Sequence, residues 1–198
     1  CFILDNDLIY YFEALLNSKI AEYYMSFLSP TLDFNQGAMG NIPVITDEER
    51  VSNIEQFSKQ NEIYAKNDWD AFETSWDFAR HPLVRPVSTI SDAYTAWQGR
   101  CNERFINLKS NEEILNRIFI DIYGLQDELS PEVEDKDVTV RRIFDTKEDI
   151  PESMKGSSYA ITKHDVVVSL VSYAVGCMFG RYSLDEEGLP PKHTTYSI

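Results

Sequence analysis

The sequence predicts a mainly α fold: an elongated helical assembly built on one long heptad-containing helix, with a small strand element near residues 31–45. Three observations carry this. Tyr94, Cys101, Leu108, Leu115 and Ile122 recur at a seven-residue interval, flanked by Trp97, Phe105, Ile114, Ile118 and Phe119. Such a seam asks for a partner helix of similar length. Apolar residues over 6–28 and 46–78 also return at helical spacing, while 31–45 alternates in the manner of a strand.

The long helix is expected from Ser88 to Gly124, with Ser88 or Thr89 as its cap and Gly124 just past its end. About 35 residues make a rod on the order of 50 Å. Gly99 weakens it, and Ser110-Asn111-Glu112-Glu113, a second capping box in form, marks a potential break.

In chain order, Asn6 to Leu28 reads as an amphipathic helix capped by Asn6 or Asp7 and stopped by Pro30. Leu32 and Phe34 share one side of a short strand. Gly37 and Gly40 mark a turn before a second extended piece, Asn41 to Ile45. Thr46-Asp47-Glu48-Glu49 has the form of a capping box for a helix to Lys66, and Asn67 or Asp68 caps another through Phe78. These two are the expected antiparallel partners of the rod. Leu125 to Lys136 reads as acidic loop, Asp137 to Phe144 as a short strand and Asp145 to Ser158 as a mobile linker. His164 to Arg181 reads as a mostly buried last helix, too short and too interrupted by serine to span a bilayer. The resulting division is 1–45 (end of a recognition-like domain), 46–129 (helical spacer), 130–189 (acidic linker and last helix) and 190–198 (disordered tail).

Composition narrows the function. The chain has 198 residues, 43% hydrophobic and 26% charged, as a soluble globular protein or a fragment of a larger one has. It opens on Cys1 in an apolar run with no signal-peptide pattern, which favours the fragment. Three scattered cysteines fit free thiols in a reducing, cytoplasmic setting. A formal charge of −15 repels nucleic acid as a whole, so any DNA contact must be local.

Arg80, Arg85, Arg100 and Arg104 are the one basic concentration and the DNA-contact candidates. Pairing with neighbouring carboxylates is the commoner fate of such side chains. Trp69, Phe72 and Trp76 share a predicted helix face among four acids, and core packing is favoured over base stacking there. His81, His164 and His193 suggest neither a metal set nor a nucleophile–base pair. Gly176 and Gly180 allow a close approach to the last helix. No phosphate loop or dinucleotide fingerprint occurs. The expectation is no catalytic, cofactor-binding or metal residue in this chain.

Leu15 to Ala21, Thr31 to Phe34 and Gly40-Asn41-Ile42-Pro43-Val44 resemble the close of a target-recognition domain in adenine-specific DNA methyltransferases, an order shared by type I restriction specificity subunits. Asp68 to Phe78, Asn116 to Leu129 and Gly180 to Asp185 are similar to the C-terminal half of the PglX-type methyltransferases of BREX phage-defence systems. The resemblance runs from about Leu15 to Leu189 and lapses at Pro190-Pro191-Lys192-His193. It implies a parent enzyme that moves a methyl group from S-adenosylmethionine to adenine in DNA. The family's N-P-P-Y-type and Gly-rich cofactor motifs do not occur here, so no catalytic residue carries over. The implied role is a non-catalytic C-terminal part that positions the recognition region. Its implied partners are DNA, the remaining methyltransferase domains and defence-system subunits, with no membrane. The rival reading is a stand-alone helical interaction module that forms a homodimer along its seam.

Overall fold

The computed structural model describes residues 8–29 and 36–184. Among the described residues it is mainly α, with six α-helices: α1 Ile9–Leu16, α2 Lys19–Leu28, α3 Gln36–Met39, α4 Val51–Trp69, α5 Ile90–Tyr123 and α6 Lys163–Met178. Strands β1 (Arg142–Phe144) and β2 (Ala160–Thr162) form a two-stranded parallel sheet, Ile143 opposite Ile161. The chain forms two compact units: Cys1–Ile63 with Leu108–Val133, and Tyr64–Asn107 with Glu134–Ile198.

The first unit packs Tyr11, Ala14, Leu15 and Ile20 of α1 and α2 against Ile54 of α4 and Leu115, Phe119 and Ile120 of α5. The expected single helix over 6–28 is two. Asn17 Nδ2 donates to the Glu13 carbonyl and Ser18 Oγ to that of Leu15, so the polar pair ends α1 and lets the chain bend. Residues 6 and 7 lie outside the described residues. Within this unit α4 and α5 run antiparallel: Arg50 meets Asp121 and Asn61 meets Asn111. Asn111 therefore bonds across to α4, and α5 continues unbroken through the potential cap at 110–113.

The two-stranded sheet is formed by residues 142–144 and 160–162, and none of the described residues of 31–45 is in a strand. Residues 30–35 lie outside the described residues, and 36–39 form α3, whose Ala38 packs on Ala21, Met25 and Ile42. Residues 43–45 are bonded to tyrosine hydroxyls instead of a second strand. Tyr123 donates to the Pro43 carbonyl (2.6 Å) and accepts from Ile45 N, while Tyr11 donates to the Ile45 carbonyl (2.7 Å). The box at Thr46 gives way to Asp47, which accepts Glu49 N before α4 starts at Val51.

The second unit is centred on Leu83, Ala93, Tyr94, Trp97, Cys101, Ile143 and Val166. Thr89 Oγ1 accepts Asp92 N at the start of α5, and Gly124 ends that helix at φ +68. Tyr94, Cys101, Leu108 and Leu115 are all buried within the chain's own units. The helix expected over 67–78 does not form: α4 runs on to Trp69, and 70–77 is turns. Asp68 does not cap because its carboxylate is buried in ion pairs, while Lys66 holds both Asp70 and Asp77 and closes the turns. Trp76 is 96% exposed and Trp69 about half, so the expected common aromatic face is absent.

Residues 145–158 are tied down, not a free linker: Thr146 bonds Asp149, Ser153 bonds Asp135 and Met154 is buried. In α6, Thr162 and Asp165 make a reciprocal capping box. This helix is not mostly buried. It inserts Val166 and Tyr173 but exposes Val167, Val168, Val171, Val175 and Met178. Gly180 (φ +72) ends it, and Gly176 gives room to the Tyr182 ring, which a Cβ would meet at 2.7 Å. The tail 190–198 lies outside the described residues.

Candidate functional site: an arginine cluster in the second unit

The α4–α5 pairing, the 80–85 connection and the approach to β1 place five arginines in the second unit, and their fates differ. Asp68, at the end of α4, is 2% exposed. Its Oδ1 accepts from Arg104 Nη1 (3.0 Å) and from the backbone N of Arg141 (3.1 Å), and its Oδ2 accepts from Arg141 Nη1 at 2.8 Å. The Arg141 guanidinium also lies 3.8 Å from the Phe72 ring centre. One carboxylate thus holds two cations, and this knot keeps a net charge of +1.

Arg100 lies one turn before Arg104 on α5. Its Nη2 is buried and has no acceptor among the described residues. Burial first, then the neighbouring Arg85 and Arg104 cations, lower its pKa from the usual guanidinium value. Arg85 is exposed and donates through Nε to the Pro82 carbonyl at 3.0 Å. Arg80 also has a buried nitrogen, Nε, without an acceptor among the described residues, and its charge acts on Tyr173. The structure therefore separates the four sequence candidates. Arg85 and Arg100 act on each other's charge, Arg104 is taken by Asp68, and Arg80 acts on Tyr173. Sequence reasoning missed Asp68 and Arg141, whose partners lie 36 and 73 positions away with no local pattern to announce them.

His81 is 2% exposed, packed edge-on to Trp97 with ring centres 5.6 Å apart. Leu83 N donates to its Nδ1 at 3.2 Å, which leaves the proton on Nε2 to be donated to Ser169 Oγ at 2.9 Å. Ser169 in turn donates to the Val166 carbonyl. The proton order is the reverse of a nucleophile–base pair, in which the serine would donate to the ring. Burial lowers the His81 pKa to about 4 and keeps the ring neutral.

His81 borders a cleft of about 320 Å³ with Phe72, Glu73, Asp165 and Ser172. Its polar groups already serve one another: Glu73 accepts from Ser172 (2.6 Å), and Asp165 accepts both the Thr162 amide and its hydroxyl. Burial pushes the Cys101 thiol up to about 11, far from an activated nucleophile. Among the described residues no His, Cys, Asp or Glu group could hold a metal, and no helix is long and apolar enough to cross a membrane.

No family model matches the chain. It is 38% identical over 194 residues to the adenine-specific methyltransferase PglX of Lacticaseibacillus casei (strain Zhang), across 95% of this chain and 14% of that protein. It is 31% identical over 190 residues to the adenine-specific methyltransferase BrxX of Escherichia coli O9:H4 (strain HS), across 93% of this chain and 15% of that one. The chain spans about one seventh of the length of these curated relatives. Nearly all of this chain is therefore similar to a short segment of the adenine-specific methyltransferases PglX and BrxX.

Proposed function

We propose that the chain is a non-catalytic C-terminal part of an adenine-specific DNA methyltransferase, where it positions the DNA-recognition region and docks partners. The observation that carries this reading is 38% identity over 95% of the chain to a methyltransferase about six-sevenths of which lies outside the match. Methyl transfer from S-adenosylmethionine then belongs to the rest of the parent protein. The roles of this chain's own buried polar groups support it: Asp68 joins α4, α5 and the approach to β1, and His81 fixes the connection between α4 and α5. Docking is supported by the exposed valine face of α6 and by Trp76. The test is a methylation assay on the purified chain, on the parent enzyme and on the parent lacking this region. Only the intact parent is expected to methylate DNA. Methyl transfer by the isolated chain, or full activity after the deletion, contradicts the reading.

A second reading, a stand-alone interaction module that forms a homodimer, is favoured by the same α6 face. The heptad seam of α5 is already covered within the chain, so self-pairing would have to use α6. Light scattering decides: a mass that stays monomeric over a wide concentration range removes this reading.

A further inference from the structure

Acids outnumber bases by 33 to 18 in this chain, and carboxylates reach many of its cations: Lys19, Arg50, Lys59, Lys66, Arg104 and Arg141 are all ion-paired. Two arginines in the second unit, Arg85 and Arg100, make no ion pair among the described residues and act on each other's charge. Leu83 packs into the cluster of Ala93, Tyr94, Trp97 and Cys101, and this seats the 81–85 connection on the stretch of α5 that carries Arg100. Arg85 is pinned by its Nε to the Pro82 carbonyl, and its terminal nitrogens have no acceptor among the described residues. Arg100 buries Nη2 with no acceptor among the described residues. Like charges this close ordinarily swing apart or take a carboxylate between them. One turn further along α5, Arg104 does the latter with Asp68.

We propose that Arg85 and Arg100 form a fork for one phosphodiester group of DNA. Guanidinium groups present planar donor pairs matched to phosphate oxygens, and an anion placed between them relieves their mutual repulsion. Arg104 and Arg80 stand outside the fork. The choice of DNA as the source of the anion rests on the methyltransferase reading above; a carboxylate from a partner protein is the outcome that would replace it. Contact with one phosphate positions the chain on the duplex without reading sequence.

The test is fluorescence anisotropy of a short labelled DNA duplex titrated with the 198-residue chain over a series of salt concentrations. Arg85→Ala/Arg100→Ala is expected to weaken binding about tenfold at low salt and to reduce the salt slope by about one. Arg85→Ala alone, at an exposed side chain, guards against misfolding and should lose several-fold. Arg100→Lys keeps the charge but not the fork, and should fall between wild type and the double variant. Arg117→Ala, at an exposed arginine in the first unit, should bind as wild type does. Four results overturn the proposal: no salt-sensitive binding by the wild type, a double variant equal to it, equal loss in Arg117→Ala, or Arg100-dependent capture of an acidic peptide in place of DNA. Failure here leaves the methyltransferase reading standing, because that reading is judged by methylation after deletion of the region.

Discussion

Arg100 and Arg104 stand one turn apart on the same helix and make opposite use of the same side chain. Arg104 is closed into a buried ion pair with Asp68, shared with Arg141 and covered by Phe72. Arg100 is also partly buried, yet makes no ion pair among the described residues, and the Arg85 and Arg104 cations act on it. The difference shows that burial of a charged group does not by itself indicate a structural role. What matters is whether its desolvation is repaid inside the chain. The first site is closed by its own carboxylate; the second has none among the described residues.

The largest effect should come from opening the complete site. Asp68→Ala strands Arg104 and Arg141 in a dry position and is expected to cost about 3–5 kcal/mol, read as a lower urea midpoint. An unchanged midpoint would mean that the knot adds nothing and the comparison fails.

Next is the acid response of the connection that carries Arg85. The His81 pKa falls from 6.5 to about 4 on folding, so the native state binds this proton less readily than the unfolded chain. Its contribution is fully present above pH 6.5 and is lost as pH falls toward 4, up to about 3 kcal/mol. Denaturation at neutral and mildly acid pH should show this loss in the wild type, and His81→Asn should remove the part that belongs to the ring. An identical pH dependence in the variant would contradict the buried neutral ring.

Smaller still is the contrast between the two arginines themselves. Arg104→Leu should destabilise by about 1–3 kcal/mol, because Asp68 keeps Arg141 but loses one donor. Arg100→Leu should lie within about 0.5 kcal/mol of wild type or be slightly stabilising, since it removes a desolvated cation with no partner. Equal losses in the two variants would assign Arg100 a structural role.

Much of this architecture is legible in the sequence because it is written locally. The seven-residue interval, Thr89 as cap and Gly124 in the left-handed region define α5 to within two residues. The end of α4 and the approach to β1 are not local. Asp68 carries the signature of a helix cap, and only an arginine 73 positions away turns it into the centre of a knot. Residues 43–45 look extended and are, but tyrosine hydroxyls from α1 and α5 take the place of a second strand, which alternation cannot reveal. In α6 an apolar run reads as burial. Its valines are exposed because apolar composition says nothing of which face meets a neighbour. The basic concentration at 80–104 is visible as a cluster, yet its division into Arg104 and the Arg85–Arg100 pair appears only when Asp68 and the 81–85 connection are placed. The Thr162–Asp165 capping box is the one overlooked feature with a plain local pattern.

The most direct test uses the parent methyltransferase carrying Arg85→Ala/Arg100→Ala, assayed for methyl transfer over a range of DNA concentrations. If this region positions DNA and takes no part in the reaction, KM for DNA rises while kcat at saturating DNA stays at the wild-type value. A fall in kcat with KM unchanged would place these arginines in the chemical step and contradict the account.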